Sequence, residues 1–189
     1  MIDPVEVRAA LARHPSRILD LGALRPAAVL MPLFVKGGEG WVLLTRRTED
    51  LPHHRGEIAF PGGASHDEDG DLEQTALRET EEEMGIRPAD VTLLGRLDDI
   101  VSVHDYRVTP YVGTIPHPYP FQVNSAEVAE VIQAPLAVLS DPGRWRREDW
   151  RHRGRCHPVH FCTVDEHEVW GLTAAILLQF LQRLGRLPV

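Results

Sequence analysis

Hydrophobic residues along the chain occur in runs that predict β-strands. The run 27–35, AAVLMPLFV, is almost uninterrupted by polar residues, which is typical of a strand buried on both faces. Pro32 within it predicts a sheet edge or a bulge. Glycines at 37, 38 and 40 predict a hairpin turn into a second strand. Together with alternating or short apolar segments, the predicted strands are 27–35, 41–47, 57–60, 91–102, 106–115 and 157–164.

Helices are predicted at 4–13, 72–84 and 170–184. The second helix has Asp71 as an N-cap, Gln74 three residues later as in a capping box, and Gly85 as its C-terminal stop. The order of elements predicts an α/β fold, an α/β/α sandwich in which a mixed β-sheet lies between helices.

The helix at 72–84 carries Glu79, Glu82 and Glu83 beside its hydrophobic side. Like charges three and four residues apart destabilise a helix by roughly 0.2–0.5 kcal/mol per pair, and the C-terminal half of the helix dipole disfavours them further. A divalent cation accounts for them, because Mg²⁺ binds hard oxygen ligands and leaves positions for water and substrate phosphates. The alternative is a solvent-exposed acidic helix. Gly62-Gly63 upstream favours the metal, since such a turn lets backbone approach a ligand.

Gly63 and the segment 78–86, RETEEEMGI, resemble the Nudix box, G-x5-E-x7-R-E-U-x-E-E-x-G-U, in which U is a bulky apolar residue. Thr80 replaces one U, and an extra loop residue leaves Asp69 or Asp71 in the role of the first Glu. The resemblance implies a Nudix hydrolase domain at 26–189 after a helix and linker at 1–25. It implies Mg²⁺ or Mn²⁺ as cofactor and Arg78 as an orienting residue. The implied metal ligands are Glu79, Glu82, Glu83 and a carbonyl of Gly63, with Glu79 and Glu83 in the main roles.

Upstream residues resemble the extended signature of coenzyme A pyrophosphatases. They are LLTRRT at 43–48 and FPGG at 60–63, with Thr48, Pro52 and His66 in place of Ser, Arg and Asp. This resemblance implies metal-dependent hydrolysis of the diphosphate linkage of coenzyme A or its acyl derivatives, giving 3′,5′-ADP and (acyl-)4′-phosphopantetheine. The candidate substrate-binding residues are Arg46, Arg47, His54 and Arg55. One further acid near the metals is expected from the superfamily, and Glu127 and Glu130 are the candidates.

Two other functions stay open. One is a Nudix hydrolase of ADP-ribose, NADH or nucleoside triphosphates; the other is a non-catalytic nucleotide-sensing Nudix module. The intact acidic stripe argues against the sensor, because such modules can lose metal ligands without losing their fold.

Charge and composition narrow the partners. The 189 residues suit one domain, and a net charge of −8 disfavours nucleic acid and anionic membrane. No apolar run reaches the roughly 18 residues of a transmembrane helix, and a secretory signal pattern is not seen, so the expected location is the cytoplasm. Cys156 and Cys162 match no disulfide or zinc pattern and are expected to be reduced thiols. A homodimer is left open.

The remaining polar segments are expected to play minor roles. Asp98-Asp99 is predicted to be a solvated strand end, 141–155 a solvated basic insertion, and 124–130 a capped helical turn. Tyr119 and Phe121 are expected to cover either the substrate or the core.

Overall fold

The structure is a computed structural model that describes residues 2–20, 22–50 and 55–188. The helices in these ranges are α1 (Pro4–Ala12), α2 (Leu72–Met84), α3 (Leu136–Leu139) and α4 (Gly171–Arg183). The strands are β1 (Arg25–Lys36), β2 (Glu39–Arg47), β3 (Ile58–Ala59), β4 (Gly62–Ala64), β5 (Thr92–Arg96), β6 (Ile100–Val101), β7 (Tyr106–Thr114), β8 (Val128–Pro135), β9 (Trp145–His152), β10 (Arg155–Val164) and β11 (His167–Trp170). The three predicted helices are confirmed, α2 with the predicted bounds.

The main sheet is organised around β1. This strand pairs in parallel with β7 along one edge and antiparallel with β4 and then β2 along the other. Strand β2 also pairs with β3 and β8, and β7 with β5 and β6. Pro32 lies in this central strand between the part paired with β4 and the part paired with β2. Its missing N–H therefore leaves no ladder bond unmade, and the prediction of an edge or bulge is wrong.

Helices cover both faces of the main sheet. On one face, Met84 of α2 packs with Phe34, Leu43 and Ile86. On the other face, Ile176, Leu177 and Phe180 of α4 pack into the largest cluster of buried side chains, which α1 also joins. Burial of these apolar faces holds α2 in a fixed position against β1 and β4. The acidic side chains on the polar side of the helix are thereby held in place as well.

The segment predicted as a solvated basic insertion is β9, part of a three-stranded antiparallel sheet with β10 and β11. Trp145 anchors it through an indole N–H bond to the Leu139 carbonyl at 2.8 Å. Trp150 packs its ring 5.9 Å from Phe161 and 5.6 Å from Trp170. The predicted exposure is confirmed, because β9 is exposed along most of its length. The sequence did not indicate a strand here, because an exposed strand lacks hydrophobic alternation.

Asp98 and Asp99 are not a solvated strand end, and that prediction is wrong. Asp99 is only 2% exposed and accepts hydrogen bonds from the Leu19 N–H at 2.9 Å and the Thr109 hydroxyl at 2.7 Å. Asp98 accepts from the Arg17 N–H at 2.8 Å. The two carboxylates tie the segment after α1 to the sheet and split the predicted strand 91–102 into β5 and β6.

Two further predictions near α2 are corrected, and one open alternative is decided. The Gly62-Gly63 turn is the strand β4, and the expected helical turn at 124–130 is a turn followed by β8, so Glu130 lies in a strand. Tyr119 and Phe121 pack against the cluster that contains Phe34 and Met84, which is a core role.

Among the described residues, no helix has the length and apolar character that crossing a bilayer requires.

We expect Asp99→Asn to lower the free energy of unfolding by about 1–3 kcal/mol, because it weakens bonds of a buried carboxylate to Leu19, Arg96 and Thr109. Urea unfolding followed by circular dichroism measures the change. Asp20→Asn, at an exposed position of the same tethered segment, is the matched control. Equal stability of the two variants would contradict the role of Asp99 in tying the segment after α1 to the sheet.

Candidate active site

Helix α2 presents its acidic side from well-formed ends. The Asp71 carboxylate accepts from the Gln74 N–H at 2.9 Å, and Gly85 closes the helix at φ 68°. Thr80, which stands where the Nudix box has a bulky apolar residue, is fully buried and donates its hydroxyl to the Ala76 carbonyl at 2.7 Å. The substitution therefore leaves no unsatisfied polar atom on the buried side of the helix.

Arg78 donates five hydrogen bonds and gathers the acidic residues around it. Two go to Asp69, from Nε at 2.8 Å and Nη2 at 3.0 Å, and a third goes from Nη2 to the Ala64 carbonyl at 3.2 Å. Nη1 donates to Glu79 at 2.8 Å and Glu82 at 3.1 Å. All the N–H donors of the guanidinium are in use, so Arg78 orients carboxylates and has no donor left for a substrate.

Of the two candidates for the vacant Glu position, Asp69 is the one that contacts Arg78, whereas Asp71 caps the helix. The hydrogen bonds from Arg78 hold the pKa of Asp69 well below its ordinary value of 3.8, and bonds from His66 and Thr75 act in the same direction. Only 6% of the Asp69 side chain is exposed. The extra residue of the acidic loop is thus accommodated while a carboxylate still reaches Arg78.

Strand β4 brings backbone directly beneath Glu79. A Cβ added to Gly63 would lie 2.6 Å from the Glu79 carboxyl carbon, so only glycine allows this approach. Gly62 has φ 154°, and a Cβ there would lie 2.4 Å from the Ala28 carbonyl oxygen. The two glycines therefore have different roles: Gly62 allows β4 to pack on β1, and Gly63 makes room for a carboxylate.

Glu83 lies deepest of the helix glutamates, with 3% of its side chain exposed. Its pKa is raised to about 8, chiefly by burial; the charge of Arg47 and the Gly62 N–H act to lower it, and the charges of Glu127 and Glu79 act to raise it. Burial also raises the pKa of Glu79, against a lowering effect of Arg78. Arg47 Nη1 lies 3.8 Å from Glu83, and Arg47 Nε is buried with no hydrogen-bond partner in the described structure.

The two candidates for an additional acid lie in different environments. Asn124 links Glu127 to Glu83, because its backbone N–H donates to the Glu83 carbonyl at 2.9 Å and its side-chain N–H donates to Glu127 Oε1 at 3.0 Å. In keeping with this, the charge of Glu127 raises the pKa of Glu83. Glu130 instead pairs with Arg46 Nε at 2.9 Å and lies 3.5 Å from His167. The structure thus brings Glu127, and not Glu130, to the acidic group.

Arg46 and Arg47 have partners on opposite faces of the sheet, on either side of a shift in the register of β2 with β8. Arg47 faces α2 and Glu83, whereas Arg46 faces the second sheet and His167 through Glu130. Arg46 is therefore not brought together with the helix glutamates. Arg55 is described and exposed, and His54 lies outside the described residues.

Residues outside the predicted set also hold the site together. Thr48, buried to 8% exposure, donates its hydroxyl to the Ala126 carbonyl at 3.0 Å, and Asn124 donates its side-chain N–H to Glu127 at 3.0 Å. The sequence contained an indication for each of these residues: Asn124 is of a turn-forming type, and Thr48 occupies the Ser position of the signature. The Ala126 carbonyl that Thr48 contacts, however, lies 78 positions away in the sequence, so this bond depends on the fold.

The chemistry of the donor set fits a divalent cation. The charge of Glu127 disfavours the charged forms of Glu79 and Glu83, and a partly buried group of hard oxygens beside a glycine strand is what Mg²⁺ or Mn²⁺ binds. Within the ranges 2–20, 22–50 and 55–188, no three acidic, His or Cys side chains are already arranged as a metal shell. Binding thus requires side-chain adjustment, for which Glu82, at 55% exposure, has the greatest freedom.

Comparisons with known proteins identify the family of the chain. The family model of the NUDIX domain matches residues 24–153. A protein named as an uncharacterized Nudix hydrolase, NudL, from Escherichia coli (strain SMS-3-5 / SECEC) is 40% identical over 164 residues, which cover 87% of this chain and 85% of that relative. The protein of the same name from Cronobacter sakazakii is 41% identical over the same coverage.

Solved structures support the fold alone. A MutT/nudix family protein from Enterococcus faecalis aligns with a TM-score of 0.55 over 98% of this chain and 75% of that chain, at 16% identity. A Nudix hydrolase from M. smegmatis, RenU, aligns with a TM-score of 0.51 over 63% of this chain and 78% of that chain, at 23% identity. The predicted α/β Nudix architecture is confirmed.

We expect Gly63→Ala to weaken Mn²⁺ binding about tenfold or more, because the added methyl group displaces the flexible Glu79 carboxylate. Gly62→Ala is the contrasting variant: its methyl group meets backbone, and we expect a loss of about 1–3 kcal/mol in unfolding free energy. Electron paramagnetic resonance titration and urea unfolding separate the two effects. Unchanged Mn²⁺ affinity in Gly63→Ala would count against the placement of Glu79.

We expect Asp69→Asn to lower the unfolding free energy by about 1–3 kcal/mol at neutral pH. Because the folded-state pKa of Asp69 is depressed, the pair with Arg78 contributes fully above the ordinary value of 3.8, and this contribution is lost as the pH falls through the folded-state value. The stability difference between wild type and variant should therefore shrink in acid. A difference independent of pH would contradict the assigned ion pair; Asp67→Asn, exposed in the same loop, serves as control.

Proposed function

This chain belongs to the Nudix hydrolase family and is a pyrophosphatase, and from that premise we propose that its substrate is coenzyme A or an acyl derivative. The products are then 3′,5′-ADP and 4′-phosphopantetheine or its acyl form. The supporting observation is the position of Arg47, which matches the arginine before the Ser position of the coenzyme A signature and lies 3.8 Å from the buried Glu83. A signature residue thus adjoins the carboxylates expected to hold the metal.

Arg47 is suited to bind a diphosphate. Its Nε is buried without a partner in the described structure, and Nη1 has only the long contact to Glu83. An incoming phosphate oxygen can satisfy these donors and gain a charge-assisted hydrogen bond. Arg55, exposed at the end of the neighbouring loop, is proposed as a second phosphate contact. Arg46 is not included, because it faces away from the glutamates.

Glu79 and Glu83 are proposed as the main ligands of Mg²⁺ or Mn²⁺, with Glu82 beside them and Glu127 as the acid outside the box. When bound, the cation supplies neutralisation of phosphate charge and acidification of the attacking water. Arg78 keeps Glu79 and Glu82 on one side of the helix through the bonds at 2.8 and 3.1 Å. A carboxylate of this group takes the proton of the attacking water. Arg47 holds the diphosphate in an orientation that allows in-line displacement.

We expect purified protein with Mg²⁺ or Mn²⁺ to cleave coenzyme A in preference to ADP-ribose, NADH and nucleoside triphosphates. Mass spectrometry of products formed in ¹⁸O-labelled water identifies the two fragments and the phosphorus that is attacked. Cleavage of the other nucleotides with none of coenzyme A would reject this substrate. Binding of nucleotide without any turnover would instead support a sensing module.

We expect Glu83→Gln to lower kcat/KM for coenzyme A by about 100-fold or more, because the variant loses a metal-binding carboxylate. Glu81→Gln is the matched control, since Glu81 lies exposed on the same helix, and its activity should stay within about twofold of wild type. Circular dichroism checks that both variants fold. Full activity of a folded Glu83→Gln would remove the proposed metal site.

A further inference from the structure

The loop that carries Glu127 is fastened to the C-terminal end of α2. The Gln122 N–H donates to the Met84 carbonyl at 3.0 Å, and the Asn124 N–H donates to the Glu83 carbonyl at 2.9 Å. These bonds satisfy carbonyls that the end of a helix leaves without partners. They also fix the start of the loop at Glu83 itself.

Asn124 forms a turn around Glu127. Its side-chain oxygen accepts from the Ala126 N–H at 3.2 Å, and its side-chain N–H donates to Glu127 Oε1 at 3.0 Å. Its carbonyl accepts from the N–H groups of Glu127 at 3.0 Å and Val128 at 2.9 Å. The same residue thus contacts the backbone of Glu83 and the carboxylate of Glu127.

Thr48 holds the other side of the loop. Its N–H donates to the Glu127 carbonyl at 3.0 Å, and its hydroxyl donates to the Ala126 carbonyl at 3.0 Å. Thr48 follows Arg47 at the end of β2. One stretch of backbone therefore positions both the Arg47 guanidinium near Glu83 and the loop that carries Glu127. The Thr at the Ser position of the signature keeps the hydroxyl that makes this bond.

We propose that Thr48 and Asn124 are positioning residues of the hydrolytic site, which together hold the Glu127 carboxylate beside Glu83. The need for such a restraint is electrostatic: like charges in partly buried surroundings repel, and an unrestrained glutamate would turn its carboxylate toward water. Neither residue contacts reacting atoms in this proposal, and both act through Glu127. The proposal rests on the proposed function in taking Glu127 as an acid of the site.

The test is a pair of double-mutant cycles. Asn124→Ala and Thr48→Val are each made in wild type and in Glu127→Gln, and Mn²⁺ affinity, kcat and KM are measured for the full-length proteins. We expect Asn124→Ala to weaken Mn²⁺ binding and lower kcat about tenfold in wild type, with less than about twofold change in the Glu127→Gln background. Thr48→Val should behave in the same way, and Thr48→Ser, which keeps the hydroxyl, should restore wild-type values.

Ser125 is exposed in the same turn, so Ser125→Ala is the control for loop substitution. It should change neither the Mn²⁺ affinity nor kcat. Urea unfolding of every variant separates loss of fold from loss of positioning. Equal effects of Asn124→Ala with and without Glu127 would overturn the proposal, as would a Thr48→Ser variant as impaired as Thr48→Val. The Mn²⁺ titrations contain no substrate, so coupling to Glu127 there with no hydrolysis of coenzyme A would reject the proposed substrate and leave the positioning role standing.

Discussion

The hydrogen bonds of Arg78 are the interaction on which the rest of the site depends. One guanidinium neutralises part of the charge of Asp69, Glu79 and Glu82, and it also bonds to the Ala64 carbonyl of β4. Without it, the acidic loop and the helix would bring unscreened like charges together at short range, and the Ala64 carbonyl of β4 would lose its bond to Arg78. Because all its donors are in use, its role is to set geometry, and the cationic group that remains available near the carboxylates is Arg47.

Arg47 and Arg46 illustrate how the sheet separates neighbours in sequence. Arg47 contacts Glu83 on the face covered by α2, whereas Arg46 lies on the face covered by the second sheet, with Glu130 and His167. A basic pair that looks uniform in the sequence is therefore divided between the proposed diphosphate site and an ion pair that links the two sheets. The same division separates Glu127 from Glu130, one in the loop at Glu83 and the other in β8.

Local features made much of this predictable. Three features depend only on residues close together in the sequence: the caps of α2, the apolar run of β1 and the spacing of the glutamates. The helix accordingly has its predicted bounds. Asp99 was misjudged because its partners Leu19 and Thr109 are distant in sequence, and a buried carboxylate looks the same in sequence as an exposed one. Strand β9 was missed because an exposed strand carries no hydrophobic period. The choice between Asp69 and Asp71 needed the position of Arg78, which only the folded loop supplies.

The central claim is that the carboxylates of α2 and of the adjoining loop bind a divalent cation over β4. A crystal of the protein soaked in Mn²⁺, with anomalous scattering recorded for the metal, tests this most directly. The account predicts an anomalous peak coordinated by Glu79 and Glu83 next to Gly63, with Arg78 still bonded to Asp69. A peak bound only by the exposed acids of the loop 66–70, or no peak at Glu79 and Glu83, would contradict it.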